Sequence, residues 1–259
     1  MRDVDGKVLS HCGAGAGYRV LELELGELAD EARPGQFVHL RVPGLEPSAL
    51  RRPFSIYGAG AGVLRILYKT VGRGTTAMNR LAPGDTVRVL GPVGNGFPCE
   101  CEGAPFLVAG GYGVAPLAFL AGRLPRKGVV FIGGRTAADI LAREDFERLG
   151  WEIRIATQDG SLGESGLVTV PLDRELAAVT AAGGTAELYA CGPDGMLRAV
   201  GERAIGHGFK GWLSLDKHMV CGVGACLACV QKLRRADGEE WLGRVCADGP
   251  VFESREIVW

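Results

Sequence analysis

Over the first hundred residues, apolar and polar side chains alternate with a period of two. Leu21, Leu23 and Leu25 interleave with Glu22 and Glu24, and Val38, Leu40 and Val42 interleave with His39 and Arg41. That period puts successive side chains on opposite faces of a strand, one inward and one toward water. Shorter runs recur over residues 63–70 and 86–90. Turn formers separate the runs, among them Arg33-Pro34-Gly35, Ala82-Pro83-Gly84-Asp85 and Gly91-Pro92-Val93-Gly94-Asn95-Gly96. Short alternating strands with such turns, and no long helix, predict a small antiparallel β barrel over residues 1–100.

After about residue 103 the period changes. Residues 105–109 and 128–132 are continuous apolar runs, each followed by glycines and a helical pattern, and residues 151–156 and 187–190 add two more strands. This is the grammar of a parallel sheet with crossover helices, so an α/β, Rossmann-like domain is predicted for residues 101–210. Pro193 is placed to open the helix after the last of these strands. Residues 103–122 carry no charge and by length could just span a bilayer. Their glycines, with Pro105 and Pro116, predict strand, turn and helix instead. From residue 211 to 259 the chain is rich in glycine and cysteine and has too few apolar residues for a core of its own.

The 29 basic and 30 acidic side chains nearly cancel, which leaves no long-range field to attract nucleic acid or an anionic membrane. The first seven residues mix charges and lead into no apolar segment of the export type, so a cytoplasmic location is expected. In that reducing setting the eight cysteines are not expected to build a disulfide framework. Cys12, Cys99, Cys101 and Cys191 are scattered, whereas Cys221, Cys226, Cys229 and Cys246 cluster near the end.

The four clustered cysteines follow C-x4-C-x2-C-x16-C. The first three have the plant-type spacing for a two-iron, two-sulfur cluster. Gly222, Gly224, Ala225 and Ala228 leave the loop small enough to wrap such a core and to turn backbone amides toward the sulfurs. The competing reading is a structural zinc, which would equally staple a coreless tail. Zinc ribbons present two C-x2-C knuckles, and here only Cys226 and Cys229 make one.

Arg51-Arg52-Pro53-Phe54-Ser55-Ile56 opens a predicted barrel strand with a guanidinium, a rigid turn and a hydroxyl. Arginine grips pyrophosphate bidentately; taken alone, the run is equally a basic surface patch. Leu67-Tyr68-Lys69 and Gly72-Arg73-Gly74-Thr75 add an aromatic, a cation and a glycine-rich helix start, the kind of backbone that cradles phosphate. Together these segments resemble the flavin-binding barrel of the ferredoxin–NADP reductase superfamily. The resemblance implies FAD held by Arg52, Pro53, Phe54, Ser55, Leu67, Tyr68, Lys69, Gly74 and Thr75, with Arg52 on the pyrophosphate and Ser55 on the isoalloxazine.

Gly110, Gly111 and Gly113 join a strand to a helix, and Cys191-Gly192-Pro193 follows a later strand, at the end of an open α/β sheet where ligands bind. In the same superfamily a C-G-P motif sits at the nicotinamide. Tyr112 is bulky for such a turn, and Cys191 is also readable as an ordinary buried thiol. Gly133-Gly134-Arg135-Thr136 offers an arginine and a hydroxyl but no clear acid to choose NAD over NADP, and Thr157-Gln158-Asp159-Gly160-Ser161 resembles a loop of the superfamily with Gln158 where an acid is common. Cys99, Cys101 and Trp259 suggest no chemistry, and Trp259 fits packing at a subunit contact.

Barrel, nucleotide segment and cluster loop follow in an order that resembles the electron-transfer subunit of the NAD-dependent, two-subunit dihydroorotate dehydrogenase. The tail, Met219-Val220-Cys221-Gly222-Val223-Gly224-Ala225-Cys226-Leu227-Ala228-Cys229 with Val245-Cys246-Ala247-Asp248-Gly249-Pro250-Val251-Phe252, carries it most specifically. The resemblance implies an FMN-containing dihydroorotate dehydrogenase catalytic subunit as partner, in a heterotetramer of two copies each. Electrons would pass from that subunit through a 2Fe–2S cluster and FAD to NAD+. Hydride transfer between flavin and nicotinamide needs orientation more than an acid or base, so no catalytic side chain is expected. Small subunits of sulfhydrogenases and ferredoxin-dependent transhydrogenases share these parts, and a non-catalytic, zinc-stabilised regulatory module is the reading from another class.

Overall fold

The computed structural model describes residues 1–45 and 50–259. Strands β1 (Arg2–Gly13), β2 (Tyr18–Glu24), β3 (Phe37–Arg41), β4 (Arg52–Gly60), β5 (Val63–Lys69) and β6 (Thr86–Val93) close into an antiparallel barrel, ordered β1-β2-β5-β4-β3-β6. Its helices are short, α1 (Glu27–Asp30) and α2 (Arg73–Met78). The alternation drives closure: Leu21, Leu23, Val38, Leu40, Ile56 and Ile66 are fully buried in its interior. His39 departs from that pattern. It lies on the opposite face of β3, yet it is as buried as Val38 and Leu40, because the backbone of Gly222 covers it from outside the barrel.

The second unit contributes β7 (Ala104–Gly110), β8 (Val129–Gly134), β9 (Glu152–Thr157), the two-residue β10 (Glu164–Ser165), β11 (Ala186–Cys191) and β12 (Lys210–Ser214). Then come a separate hairpin, β13 (Val230–Arg234) and β14 (Glu240–Arg244), and β15 (Val251–Glu253). The seven-stranded sheet runs β10-β9-β8-β7-β11-β12-β15, parallel except for β15. From β7 the chain winds outward in both directions, so the switch point lies between the C-terminal ends of β7 and β11. Around the sheet lie α3 (Val114–Ala121), α4 (Arg143–Arg148), α5 (Thr169–Ala181) and α6 (Asp194–Gly206).

The uncharged stretch over 103–122 is strand, tight turn and helix. Every residue of α3 is buried because the helix is packed between β7 and the barrel strand β4, which explains its lack of a polar face. Among the described residues no helix is long and apolar enough to cross a membrane.

The expected boundary at 210/211 falls inside β12. The cysteine-rich segment leaves the sheet at β12 and returns to it at β15, and Cys229, Leu233, Val245 and Cys246 share one apolar core with Leu188 and Leu213. A segment too poor in apolar residues for its own core is thus buried against the neighbouring sheet. Polar ties fasten barrel to sheet: Tyr18 Oη donates to Asp139 Oδ1 at 3.2 Å, Lys69 Nζ lies 3.4 Å from the same oxygen, and Tyr57 donates to Asp145.

Candidate functional site

Barrel, sheet and the lead into the cysteine loop meet around one cleft of about 540 Å³. Its walls include all nine expected barrel residues: Arg52, Pro53, Phe54 and Ser55 on β4, Leu67, Tyr68 and Lys69 ending β5, and Gly74 and Thr75 on α2. A side chain at Gly74 would put its Cβ 3.0 Å from Arg52 Nε, so glycine there leaves room for the guanidinium. Arg52 Nη1 is steadied by donating to the Leu50 carbonyl at 2.6 Å. Thr75 Oγ1 accepts from the amides of Val71 (2.9 Å) and Gly72 (3.1 Å), so its hydroxyl shapes the glycine turn. A second hollow of about 650 Å³ shares Val71, Gly72 and Arg73 with the first and adds Arg80.

Lys69 reaches beyond the cleft: its Nζ donates to Tyr18 Oη at 3.3 Å, lies 4.5 Å from that ring's centre, and pairs with Asp139. Burial works against the Asp139 charge, but hydrogen bonds from Arg135, Lys69 and Tyr18 outweigh it and hold the carboxyl below its ordinary value. Burial pushes the Tyr68 phenol up to about 12.

At the switch point, Gly113 and Cys191 line the cleft, whereas the expected Gly110, Gly111, Gly192 and Pro193 do not. The glycines let two turns pack: a Cβ on Gly192 would lie 3.1 Å from Gly110 Cα, and one on Gly113 2.3 Å from the Cys191 carbonyl oxygen. Gly111 has φ +55°, a conformation that favours glycine. Tyr112 does not obstruct the turn. Its ring projects into the cleft, 51% exposed, and its hydroxyl donates to Asp216 Oδ2 at 3.3 Å. Cys191 is buried and its thiol is pushed up to about 12, chiefly by burial; it is a neutral wall rather than a nucleophile.

Sequence reasoning missed Phe37, Ser214, Leu215, Asp216, Met219 and Pro250, which complete the cleft. No motif marks residues 214–218; the pairing of β12 with β11 brings that connection beside Cys191. Although its side chain is exposed, the crowding cleft walls raise the Asp216 carboxyl.

In the cysteine loop, Cys221 Sγ accepts from the Val223 amide and Cys229 Sγ from the Cys246 amide, each at 3.4 Å. Cys221 interacts with Cys226, and Cys246 with both Cys229 and Cys221. Burial opposes ionisation of Cys221, but the Val223 amide and the Cys226 thiol lower it to about 6. Burial and Cys229 raise Cys246 to about 12. The C-x4-C-x2-C-x16-C spacing fits a two-iron, two-sulfur cluster, which Cys221, Cys226, Cys229 and Cys246 would hold. Arg244 braces the loop, gripping Asp248 at 2.9 and 2.8 Å and donating to the Gly224 carbonyl at 3.3 Å. Asn95 from the barrel donates to the Asp248 carbonyl at 2.9 Å. The four-residue spacing of Arg244 and Asp248 was the available signal for this brace.

Cys101 is buried and Cys99 half-buried, and burial raises both thiols; neither joins the site.

Residues 216–258 match the family described as the iron–sulfur cluster binding domain of dihydroorotate dehydrogenase B, and residues 107–202 match the oxidoreductase NAD-binding domain. Over 250 residues, 93% of each chain, the sequence is 42% identical to the dihydroorotate dehydrogenase B (NAD(+)) electron transfer subunit of Bacillus caldolyticus. The chain belongs to this family of electron transfer subunits. The same subunit of Desulforamulus reducens is 37% identical over 98% of each chain, so the family likeness takes in barrel, sheet and cysteine loop alike. In three dimensions the chain also resembles one from the NADH-dependent reduced ferredoxin-NADP oxidoreductase. That match has a TM-score of 0.83 and 26% identity, and covers 98% of this chain and 90% of that one.

Proposed function

We propose that this chain carries electrons from a dihydroorotate-oxidising, FMN-containing catalytic subunit, through a 2Fe–2S cluster and FAD, to NAD+ in pyrimidine biosynthesis. The observation that carries this reading is the single cleft in which the Arg52–Ser55 strand, the Gly113 and Cys191 turns and Met219, two residues before the first cluster cysteine, form one wall. A hydride carries two electrons and an iron–sulfur cluster accepts one, and bound flavin supplies the conversion between the two.

The chain's own residues bind and orient. Arg52 and the Gly72–Thr75 turn hold the FAD pyrophosphate, and the hollow bearing Arg73 and Arg80 takes the rest of its nucleotide half. Ser55, Leu67, Tyr68 and Lys69 bound the ring. Gly110, Gly111, Gly113 and Cys191-Gly192-Pro193 let the nicotinamide approach it. Cys221, Cys226, Cys229 and Cys246 hold the cluster. Hydride transfer needs orientation more than proton transfer, so no side chain is assigned as acid or base. Residues 1–100 serve flavin, 101–210 nicotinamide and 211–259 the cluster, the last unit being rooted on the second. The assembly is a cytoplasmic heterotetramer, two copies of each subunit.

The test is dihydroorotate-dependent reduction of NAD+ by this chain purified together with the FMN-containing subunit from the same source. Activity that requires both chains supports the reading. Bound flavin and cluster without that coupling, but with electron exchange with ferredoxin, would overturn it in favour of a transhydrogenase subunit, which the fold of the ferredoxin-NADP oxidoreductase also accommodates.

A further inference from the structure

His39 is the least explained polar residue in the molecule. It is fully buried, and both its ring nitrogens lack a hydrogen-bond partner. Leaving a buried polar atom unsatisfied costs about 1–3 kcal/mol, so a ring kept there has a use that an apolar side chain of the same size would not have.

Its position says what that use is. The tip of the ring points at the cysteine loop: a Cβ built on Gly222 would lie 2.4 Å from His39 Nε2, 2.6 Å from Cε1 and 2.8 Å from Cδ2. Gly222 directly follows Cys221 and has φ +68°; the ring fills the space that any side chain there would need. On its other side His39 meets Phe37, with ring centroids 5.5 Å apart, and Phe37 lines the flavin cleft. The imidazole therefore stands between the cleft and the cysteine loop.

A neutral imidazole has one N–H donor and one acceptor. Arg51 Nη1 is likewise buried without a partner, and a guanidinium can only donate. With its proton on Nε2, the ring edge that faces Gly222 is the donor.

We propose that His39 is a positioning residue of the iron–sulfur site, donating its Nε2 hydrogen to the sulfur shell beside Cys221 and raising the reduction potential of the cluster. The inference rests on the cluster reading given above. Reduction adds negative charge to the sulfurs, and a donor to sulfur favours the reduced form.

The experiment uses the chain with its flavin and cluster loaded. Potentiometric titration followed by electron paramagnetic resonance compares wild type, His39→Leu and His39→Gln, and pulsed resonance on wild type labelled with 15N-histidine looks for nitrogen coupling to the reduced cluster. His39→Leu is expected to lower the reduced-to-oxidised ratio of the cluster about tenfold at fixed potential, equivalent to about 59 mV for one electron. The flavin potential should stay in place, and His39→Gln, which keeps a donor, should recover part of the shift. Labelled wild type is expected to show weak histidine coupling, a readout that does not depend on any variant folding. Absence of that coupling, or an unchanged cluster potential in His39→Leu, overturns the proposal while leaving the cluster reading intact. A wild-type chain that loads zinc and gives no iron–sulfur signal overturns both.

Discussion

At the scale of single residues, the site separates into groups that bind and groups that shape. Cys226 is exposed and is held only by its own loop, so Cys226→Ser should abolish cluster assembly yet leave NADH reduction of bound flavin largely intact. Loss of flavin reduction with flavin still bound would contradict separate sites. Arg52 is packed over Gly74 and anchored to the Leu50 carbonyl. Arg52→Ala should weaken FAD retention on dilution by ~1.5–3 kcal/mol, the worth of a charged hydrogen bond; unchanged retention would remove Arg52 from the pyrophosphate. Tyr112, which looked obstructive in the glycine turn, points into the cleft toward Asp216.

At the scale of elements, the loops and turns depend on close backbone approach. Gly222 combines a positive φ with direct contact against His39, so Gly222→Ala must displace either loop or ring. Purified protein of that variant should contain substoichiometric iron and a normal barrel, seen as wild-type flavin content with reduced iron per chain. The connection after β8 is tied to the barrel through Asp139, which meets Lys69, Tyr18 and Arg135. Its folded carboxyl lies below the ordinary value, near 4 for aspartate. This contact therefore contributes stability above about pH 4 that is lost as pH falls toward the folded value. Asp139→Asn should lower the melting temperature at pH 7 and lower it less at pH 3. Equal losses at both pH values would show that shape, not charge, holds the junction.

At the scale of the whole molecule, three segments converge on one cleft although they lie far apart in the chain. The cysteine loop is set between the sheet edge, through β12 and β15, and the barrel, through Asn95 and His39. Because its apolar residues belong to the core of the sheet, the cluster-free Cys226→Ser chain should keep its barrel and sheet. Near-wild-type far-ultraviolet dichroism and a single cooperative unfolding transition would bear this out; separate unfolding of the tail would mean that the cluster, not the shared core, holds it.

The sequence by itself determined the order of the units, the interior face of the barrel strands, the strand–turn–helix over 103–122, and the cysteine spacing and glycine turns on which the proposed cofactor sites rest. Each of these is local: periodicity, turn composition and cysteine spacing act within a few residues. The tertiary structure decided which residues face one another. Asp216 carries no motif, and Met219 opens the cysteine-loop run without any sign that it faces a cleft; the pairing of β12 with β11 brings both to its wall. The boundary after residue 210 dissolved because the tail completes a sheet begun a hundred residues earlier. His39 read as the polar face of a strand until a glycine more than 180 residues away closed over it. Burial of that kind depends on what covers a side chain, and local sequence pattern carries no record of the cover.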